Sequence, residues 1–409
     1  MRILVIYRHF WPDSPPYASM LRSIATELVS AGHEVTIWCE QPCYKMADGG
    51  LSLPKREVLD GIRIERIGKL PGWRASSSIR LLDKLFFIPR ILAKAFWRRL
   101  RGLEYDIVWT ATIPPVIQGW AGYNIARLFK ARFLYHCQDL YPELAEHMKI
   151  WKSNGLLSRM MTAIEKRTRA RADLLVTLSD DMSRTVRALA SPRKMVVINN
   201  FMLDDFSDQQ QDGFSECPSA QHNSCIRLIF AGNLGAFQGL EQLVKAMRLV
   251  ELDAPNLELV LLGEGTALPA LKVEAKGLGN VHFEGHRPFA EAQLIIAEAD
   301  IGVVSLEPEL YRFAFPSKTL TYLGLALPIF AIVEPESQLA EMITSQGVGF
   351  IARDRDAWSI ADALLQLSKQ QEELPSLRDK ALSVYHRDHA RRAVLQKWVK
   401  TIDDLRPSL

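Results

Sequence analysis

The sequence predicts an α/β protein of two doubly wound parallel-sheet domains that face a central cleft. Three observations predict it. The chain has 409 residues, more than one hydrophobic core usually supports. Short apolar runs rich in β-branched residues alternate with helical patterns along its length, the mark of βα units on a parallel sheet covered on both faces. One polar stretch without periodicity, SDQQQDGFSECPSAQHNS from Ser207 to Ser224, divides that alternation in two.

The elements follow in order. The N-terminal MRILVIYRHFWP has too short an apolar run for a signal peptide and reads as a first strand. With it, HEVTIWC, RIERIG, DIVWTAT, RFLYHCQ, LLVTLS and KMVVINN form the strands of a first domain, residues 1–206. After the linker 207–224, IRLIFAG, LELVLLG, NVHFEG, IGVVSL and PIFAIV form those of a second, residues 225–387. A last helix, residues 388–409, is expected to pack back on the first domain. In open α/β sheets ligands bind beyond the carboxyl ends of the strands, so the cleft is the expected site.

Composition narrows the class. Hydrophobic content of 48% with 24% charged residues is ordinary for a soluble globular protein. No run of about eighteen apolar residues occurs, so no bilayer-spanning helix is expected. The five cysteines, Cys39, Cys43, Cys137, Cys217 and Cys225, include one close pair with no second pair to complete a zinc site, and read as reduced thiols of a cytosolic protein.

FAGNLGAFQGLEQLV, Phe230 to Val244, reads as a strand end, a glycine turn and the first turn of a helix, where free amides and the helix dipole suit a phosphate. Gly232, Gly235 and Gly239 punctuate it; LLGEGTALPALK repeats the device with Gly263 and Gly265. Neither turn alone separates ligand binding from turn geometry. No Lys or Arg lies in the first stretch, so the charge must come from elsewhere. Lys318 is the candidate: Pro316 and Ser317 suit a helix start, and a cation in the first turn opposes the helix dipole unless it has an anionic partner.

These residues resemble the retaining glycosyltransferases of family 4, with the two-Rossmann-domain GT-B fold, over nearly the whole chain. MRILVIYRHFWPDSPPYASMLRSIATELVSAGHEVTIWC is similar to the family's opening strand, loop, helix and second strand. HCQDLYPE and FAGNLGAFQGLEQLVKA resemble segments of a subgroup that builds bacterial surface polysaccharides such as O-antigen or capsule. VVINNFMLDDF, VLLGEGTALPALK and FPSKTLTYLGLALPIFA match further family motifs in the same order. The chain departs from the family at Pro15 and Pro16, where many members have a glycine pair. Asn233 and Gln238 stand where others have an Arg and a Lys for the donor diphosphate, and Phe313 and Thr321 where the family has paired glutamates.

The resemblance implies a nucleotide-diphosphate sugar, expected to be a UDP-sugar, held by Gly232, Asn233, Leu234, Gly235 and Gln238 through backbone amides. Lys318 would supply charge beside Ser317 and Thr321, Gly263 and Gly265 would form the second turn, and His286 and Arg287 would lie at the nucleobase. Stabilisation of the departing phosphate by fixed amides and Lys318 requires no metal, and no Asp-x-Asp pair stands at a cleft strand end, so neither metal nor cofactor is expected. His136 and Asp139, closing the strand RFLYHCQD, are expected on the acceptor side, with Asp13 and Tyr17 after the first strand. For His136 a structural role stays open; Glu143 could touch the acceptor or cap a helix. Asp139, His136 and Lys318 are the residues expected to carry catalysis.

Residues 78–101, SIRLLDKLFFIPRILAKAFWRRLR, place Leu81, Leu85, Ile88, Leu92 and Phe96 on one helical face, with Pro89 expected to kink or divide the helix. One reading is a domain helix with its apolar face in the core. The other is a helix on an anionic membrane surface, with Phe86, Phe87 and Trp97 at the boundary and Arg80, Lys84, Arg90, Lys94 and Arg98 toward headgroups. With a net charge of only +3 and no recognition fold, a nucleic-acid partner is not expected. The activity expected is transfer to a lipid-linked saccharide by an enzyme peripheral to the inner face of the cytoplasmic membrane. The rivals are a nucleotide-sugar epimerase on the same fold and a non-catalytic homologue that binds a partner or membrane.

Overall fold

The computed structural model describes residues 1–13, 15–42, 53–69, 77–151, 155–203, 225–235 and 238–406. In the helix Ser77–Leu100, side chains are described at Asp83 and from Phe86 onward. The linker 207–224, Cys43, Cys217 and the side chains of Arg80 and Lys84 lie outside the described residues. The chain divides into two compact units: Met1–Asn199 with Val394–Leu409, and Asn200–Ala393.

The first unit is an eight-stranded sheet: β1 Arg2–Ile6, β2 Glu34–Glu40, β3 Arg56–Leu59, β4 Ile62–Ile67, β5 Ile107–Ala111, β6 Arg132–His136, β7 Leu174–Thr177 and β8 Met195–Val197. Their order is β3-β4-β2-β1-β5-β6-β7-β8, parallel except for β3, which pairs antiparallel with β4 at the edge. The central strands are continuous apolar runs because helices cover both faces: β1 is buried from Ile3 onward and β5 throughout. The helix Arg391–Asp403 belongs to this unit from Val394 on, and its Trp398 stacks on Trp109 with ring centroids 4.5 Å apart.

The helix Ser77–Leu100 runs unbroken through Pro89, so the expected division does not occur. Its buried face also differs from the expected one. Asp83, Phe87, Ile88, Ile91 and Ala95 are buried, while Phe96 is 52% exposed. The face is turned because the carboxylate of Asp83 points inward to Lys69 and Arg90, 3.2 and 3.0 Å away. Phe87 is in the core against Arg8 and not at a membrane boundary.

The second unit is all parallel: β9 Ile226–Ala231, β10 Leu257–Leu262, β11 Val281–Glu284, β12 Ile301–Ser305, β13 Ile329–Ile332 and β14 Gly349–Ile351. The order β11-β10-β9-β12-β13-β14 reverses between β9 and β12. Such a reversal opens a crevice at the carboxyl ends of the two strands, because their crossover helices leave on opposite faces. One apolar cluster, centred on Leu228, Phe230, Leu243, Met247, Leu259 and Leu364, supports the β9 side of it.

Candidate active site

In the second unit, the crevice between β9 and β12 brings together Lys318, Gln238 and the end of β9. The helix Lys318–Gly324 brings Lys318 and Tyr322, one turn apart, against the end of β9. The buried Tyr322 hydroxyl accepts from the Ala231 amide at 2.9 Å, which fixes the helix to the strand. Lys318 is thereby held with its ammonium 3.5 Å from the centre of the Phe230 ring and donating to the side-chain oxygen of Gln238 at 3.0 Å. Both partners are neutral, no carboxylate pairs with Lys318 among the described residues, and burial pulls its ammonium down to about 7. Gln238 is anchored in turn by its backbone carbonyl, which accepts from the Ser305 hydroxyl at the end of β12.

The glycine turn offers fewer open amides than expected. Of the four amides Gly232 to Gly235, that of Gly232 donates to Leu262 O at 2.9 Å and that of Leu234 to Glu264 O at 2.8 Å, so these two are spent on the neighbouring turn. Asn233 and Gly235 keep amides uncommitted among the described residues. The contacts explain Gly263 and Gly265: a Cβ on Gly263 would stand 2.0 Å from Gly232 O, and one on Gly265 2.2 Å from Leu234 O. They let two loop backbones touch and need no ligand to account for them.

Sequence reasoning missed Arg355 and Glu307. Arg355 reaches the N-terminal end of the helix Leu240–Val250, where its Nη2 is 2.8 Å from the position a Cβ on Gly239 would occupy. Among the described residues it pairs with Glu307, 3.8 Å away, and burial lowers its guanidinium. Nothing in the local pattern marked either residue, since they follow different strands. Ser317 is exposed and Thr321 partly buried in the same helix as Lys318. His286 and Arg287 are exposed after β11, with Arg287 paired to Glu284 at 2.9 Å.

The first unit brings together Tyr17 and His136, 119 residues apart, at the carboxyl ends of β1 and β6. His136 is 1% exposed and enclosed by the rings of Tyr17, Trp109 and Trp398, with centroids at 5.3, 6.1 and 4.9 Å. Burial drives its imidazole down to about 3, so it is neutral. The Gln138 amide donates to its Nε2 at 2.8 Å, which leaves Nδ1–H to donate to the Tyr17 oxygen at 2.9 Å. Buried and neutral, His136 positions Tyr17 and does not itself reach a sugar, which corrects its expected catalytic place. Asp13 is buried with its carboxylate 2.9 Å from Nδ1 of His9.

Asp139, beyond β6, is different. It is partly buried, makes no hydrogen bond or ion pair among the described residues, and burial pushes its carboxyl up to about 6. A carboxyl so displaced without a structural partner is the type of group that serves a site. Glu143 is not: its two oxygens meet Arg169 at 2.8 and 3.0 Å, and Arg169 also holds Glu165 at 3.0 Å and Tyr141 O at 2.7 Å. This buried net ties the DLYPE segment to the helix Leu156–Ala170, so Glu143 is structural rather than acceptor-binding. Among the described residues no group of three or more His, Cys, Asp or Glu is placed to hold a metal.

Two doubly wound parallel units, one with a glycine turn and a lysine at its switch point, define the GT-B class of glycosyltransferases. Residues 17–200 match the family model described as "Glycosyl transferase 4-like domain" and residues 225–370 the model described as "Glycosyl transferases group 1". The chain belongs to the glycosyltransferases built of these two domains. It is 24% identical over 312 residues, 75% of this chain and 76% of the relative, to the "Probable glycosyltransferase WbjE" of Pseudomonas aeruginosa. The sucrose-phosphate synthase of Thermosynechococcus elongatus shares the fold with a TM-score of 0.71 at 15% identity, over 99% of this chain and 98% of that one. Anabaena Alr3699/HepE, solved in complex with UDP-glucose, shares it with a TM-score of 0.64 at 13% identity, over 99% and 100%.

Proposed function

We propose that the chain moves a sugar from a UDP-sugar to a lipid-linked saccharide of a surface polysaccharide, with retention and without a metal ion. The observation that carries this is Lys318: a cation at the switch point with only a phenyl ring and an amide oxygen for company among the described residues. Holding an ammonium there is costly until an anion arrives, and a diphosphate at the Asn233 and Gly235 amides is such an anion. The UDP-glucose in the Anabaena relative supports the choice of donor.

As the glycosidic bond breaks, charge accumulates on the departing phosphate, and Lys318 with the two amides stabilises it. The leaving oxygen takes the acceptor proton on the same face, so no protein nucleophile is used. Asp139 orients the acceptor hydroxyl, and Tyr17, held by His136, donates beside it.

A lipid-linked acceptor and a peripheral position at the inner membrane face are supported by the apolar side chains that the helix Ser77–Leu100 leaves outside: Phe86 at 48%, Trp97 at 62% and Leu100 at 63% exposed. The test is transfer of labelled sugar from UDP-sugars to lipid-linked acceptors with chelator present. Product that keeps the donor's anomeric configuration supports the reading; release of an epimerised sugar without acceptor contradicts it. Phe313 and Thr321, at the places of the family's glutamates, favour a second reading, a non-catalytic homologue, which predicts no product with any donor.

A further inference from the structure

The β3–β4 edge and the helix Ser77–Leu100 border an open cavity of about 390 Å³. Lys55, Arg56 and Arg66 line it from the sheet; Arg90, Lys94, Arg98 and Arg101 line it from the helix, with Trp97 beside them. Glu65 is the carboxylate of its wall and is shared three ways, with Lys94 at 2.9 Å, with Arg98, and with Arg56 at 3.9 Å. Burial would raise Glu65, but the flanking Lys94 and Arg98 outweigh it and hold the carboxyl below its usual range.

The buried net behind the cavity does not correct the imbalance. Arg90 shares Asp83 and Glu40 with Lys69, and Glu40 also serves Arg8. Among the described residues of cavity and net together, nine cations meet four carboxylates, Glu40, Glu57, Glu65 and Asp83. Lys55 and Arg101 are exposed and have no ion pair among the described residues. Arg66 is the second indication. Its side chain is 1% exposed and its terminal nitrogens hold Glu57, Trp11 O and Pro54 O, yet its buried Nε–H has no acceptor among the described residues. Buried donors of this kind are rarely left unmet.

We propose that this cavity binds a phosphoryl anion, either the phosphate of a lipid headgroup or a free pyrophosphate. A surplus this large exceeds what a single carboxylate would neutralise, and the volume admits one or two phosphoryl groups. The site shares no residue with the glycine turn or with Asp139, so it stands if the transferase reading fails. Only its lipid source rests on the membrane reading above.

The experiment uses the full chain carrying Lys318→Ala, which silences the glycine-turn site, with and without Lys55→Ala and Arg101→Ala together; Lys369→Ala is the surface control. Calorimetry with inorganic pyrophosphate is read beside sedimentation with phosphatidylcholine vesicles, plain or containing phosphatidylglycerol. Removing the two unpaired cations is expected to weaken binding roughly 30-fold, at about 1 kcal/mol for each cation, with Lys369→Ala unchanged. Binding to phosphatidylglycerol vesicles assigns the headgroup; binding of pyrophosphate with vesicles ignored assigns the soluble anion. Failure to bind either, or binding that the double substitution leaves intact, overturns the proposal.

Discussion

The Tyr17 hydroxyl and Nδ1 of His136 stand 2.9 Å apart, joining the first turn of a helix to the end of β6 across 119 residues of chain. Tyr17→Phe keeps the ring but strands a buried imidazole N–H. It is expected to cost about 1–3 kcal/mol of stability, seen as a lower Tm. It also lowers kcat, because the donor that His136 holds is gone. An unchanged kcat would remove Tyr17 from the site.

Asp139 gives a signed pH prediction. Its carboxyl, raised to about 6, keeps a proton in the fold that the unfolded chain has already released above its ordinary value near 3.8. The folded state therefore loses stability as pH rises from about 4 to about 6, and the penalty persists at pH 7. Discounted for partial exposure, Asp139→Asn is expected to regain on the order of 1–2 kcal/mol at pH 7 while transfer falls. Paired melting curves and activity assays check this; loss of both stability and activity would mean a structural carboxylate.

Arg169 supports the DLYPE segment from within. Arg169→Leu leaves the buried Glu165 and the half-buried Glu143 without their cation and is expected to cost about 3–5 kcal/mol, measured by denaturant unfolding. Glu143→Gln is expected to lower stability less and to leave the acceptor KM unchanged, since Glu143 faces Arg169 and not a ligand.

The Gly263 and Gly265 turn is tested by overpacking. Gly265→Ala drives a methyl into Leu234 O and is expected to cost about 1–3 kcal/mol and to weaken UDP binding by displacing the loop. If UDP affinity is unaffected, the two turns do not act together.

Much of this was legible in the sequence, for a physical reason. Strands buried on both faces, such as Arg2–Ile6 and Leu257–Leu262, announce themselves as apolar runs. The edge strand Arg56–Leu59 does not, being short and half exposed, nor does the three-residue Gly349–Ile351. The helix Ser77–Leu100 was turned because a pattern that sends charges outward cannot foresee Asp83 buried against Lys69 and Arg90. Lys318 was visible as a cation misplaced in a first turn. Arg355, Glu307 and the Tyr17–His136 bond were not, since only the folded sheet brings them together.

The central claim is that Lys318 answers a donor diphosphate. The measurement is thermal stabilisation by UDP across pH, without metal, for the wild type, Lys318→Ala and Lys318→Arg. Ligand at about 100 times its Kd stabilises by roughly 2.7 kcal/mol. The account predicts that shift in the wild type at pH 6, its decline above about 7 as the ammonium loses its proton, its absence in Lys318→Ala, and its persistence at high pH in Lys318→Arg. Equal stabilisation of wild type and Lys318→Ala at pH 6 would contradict it.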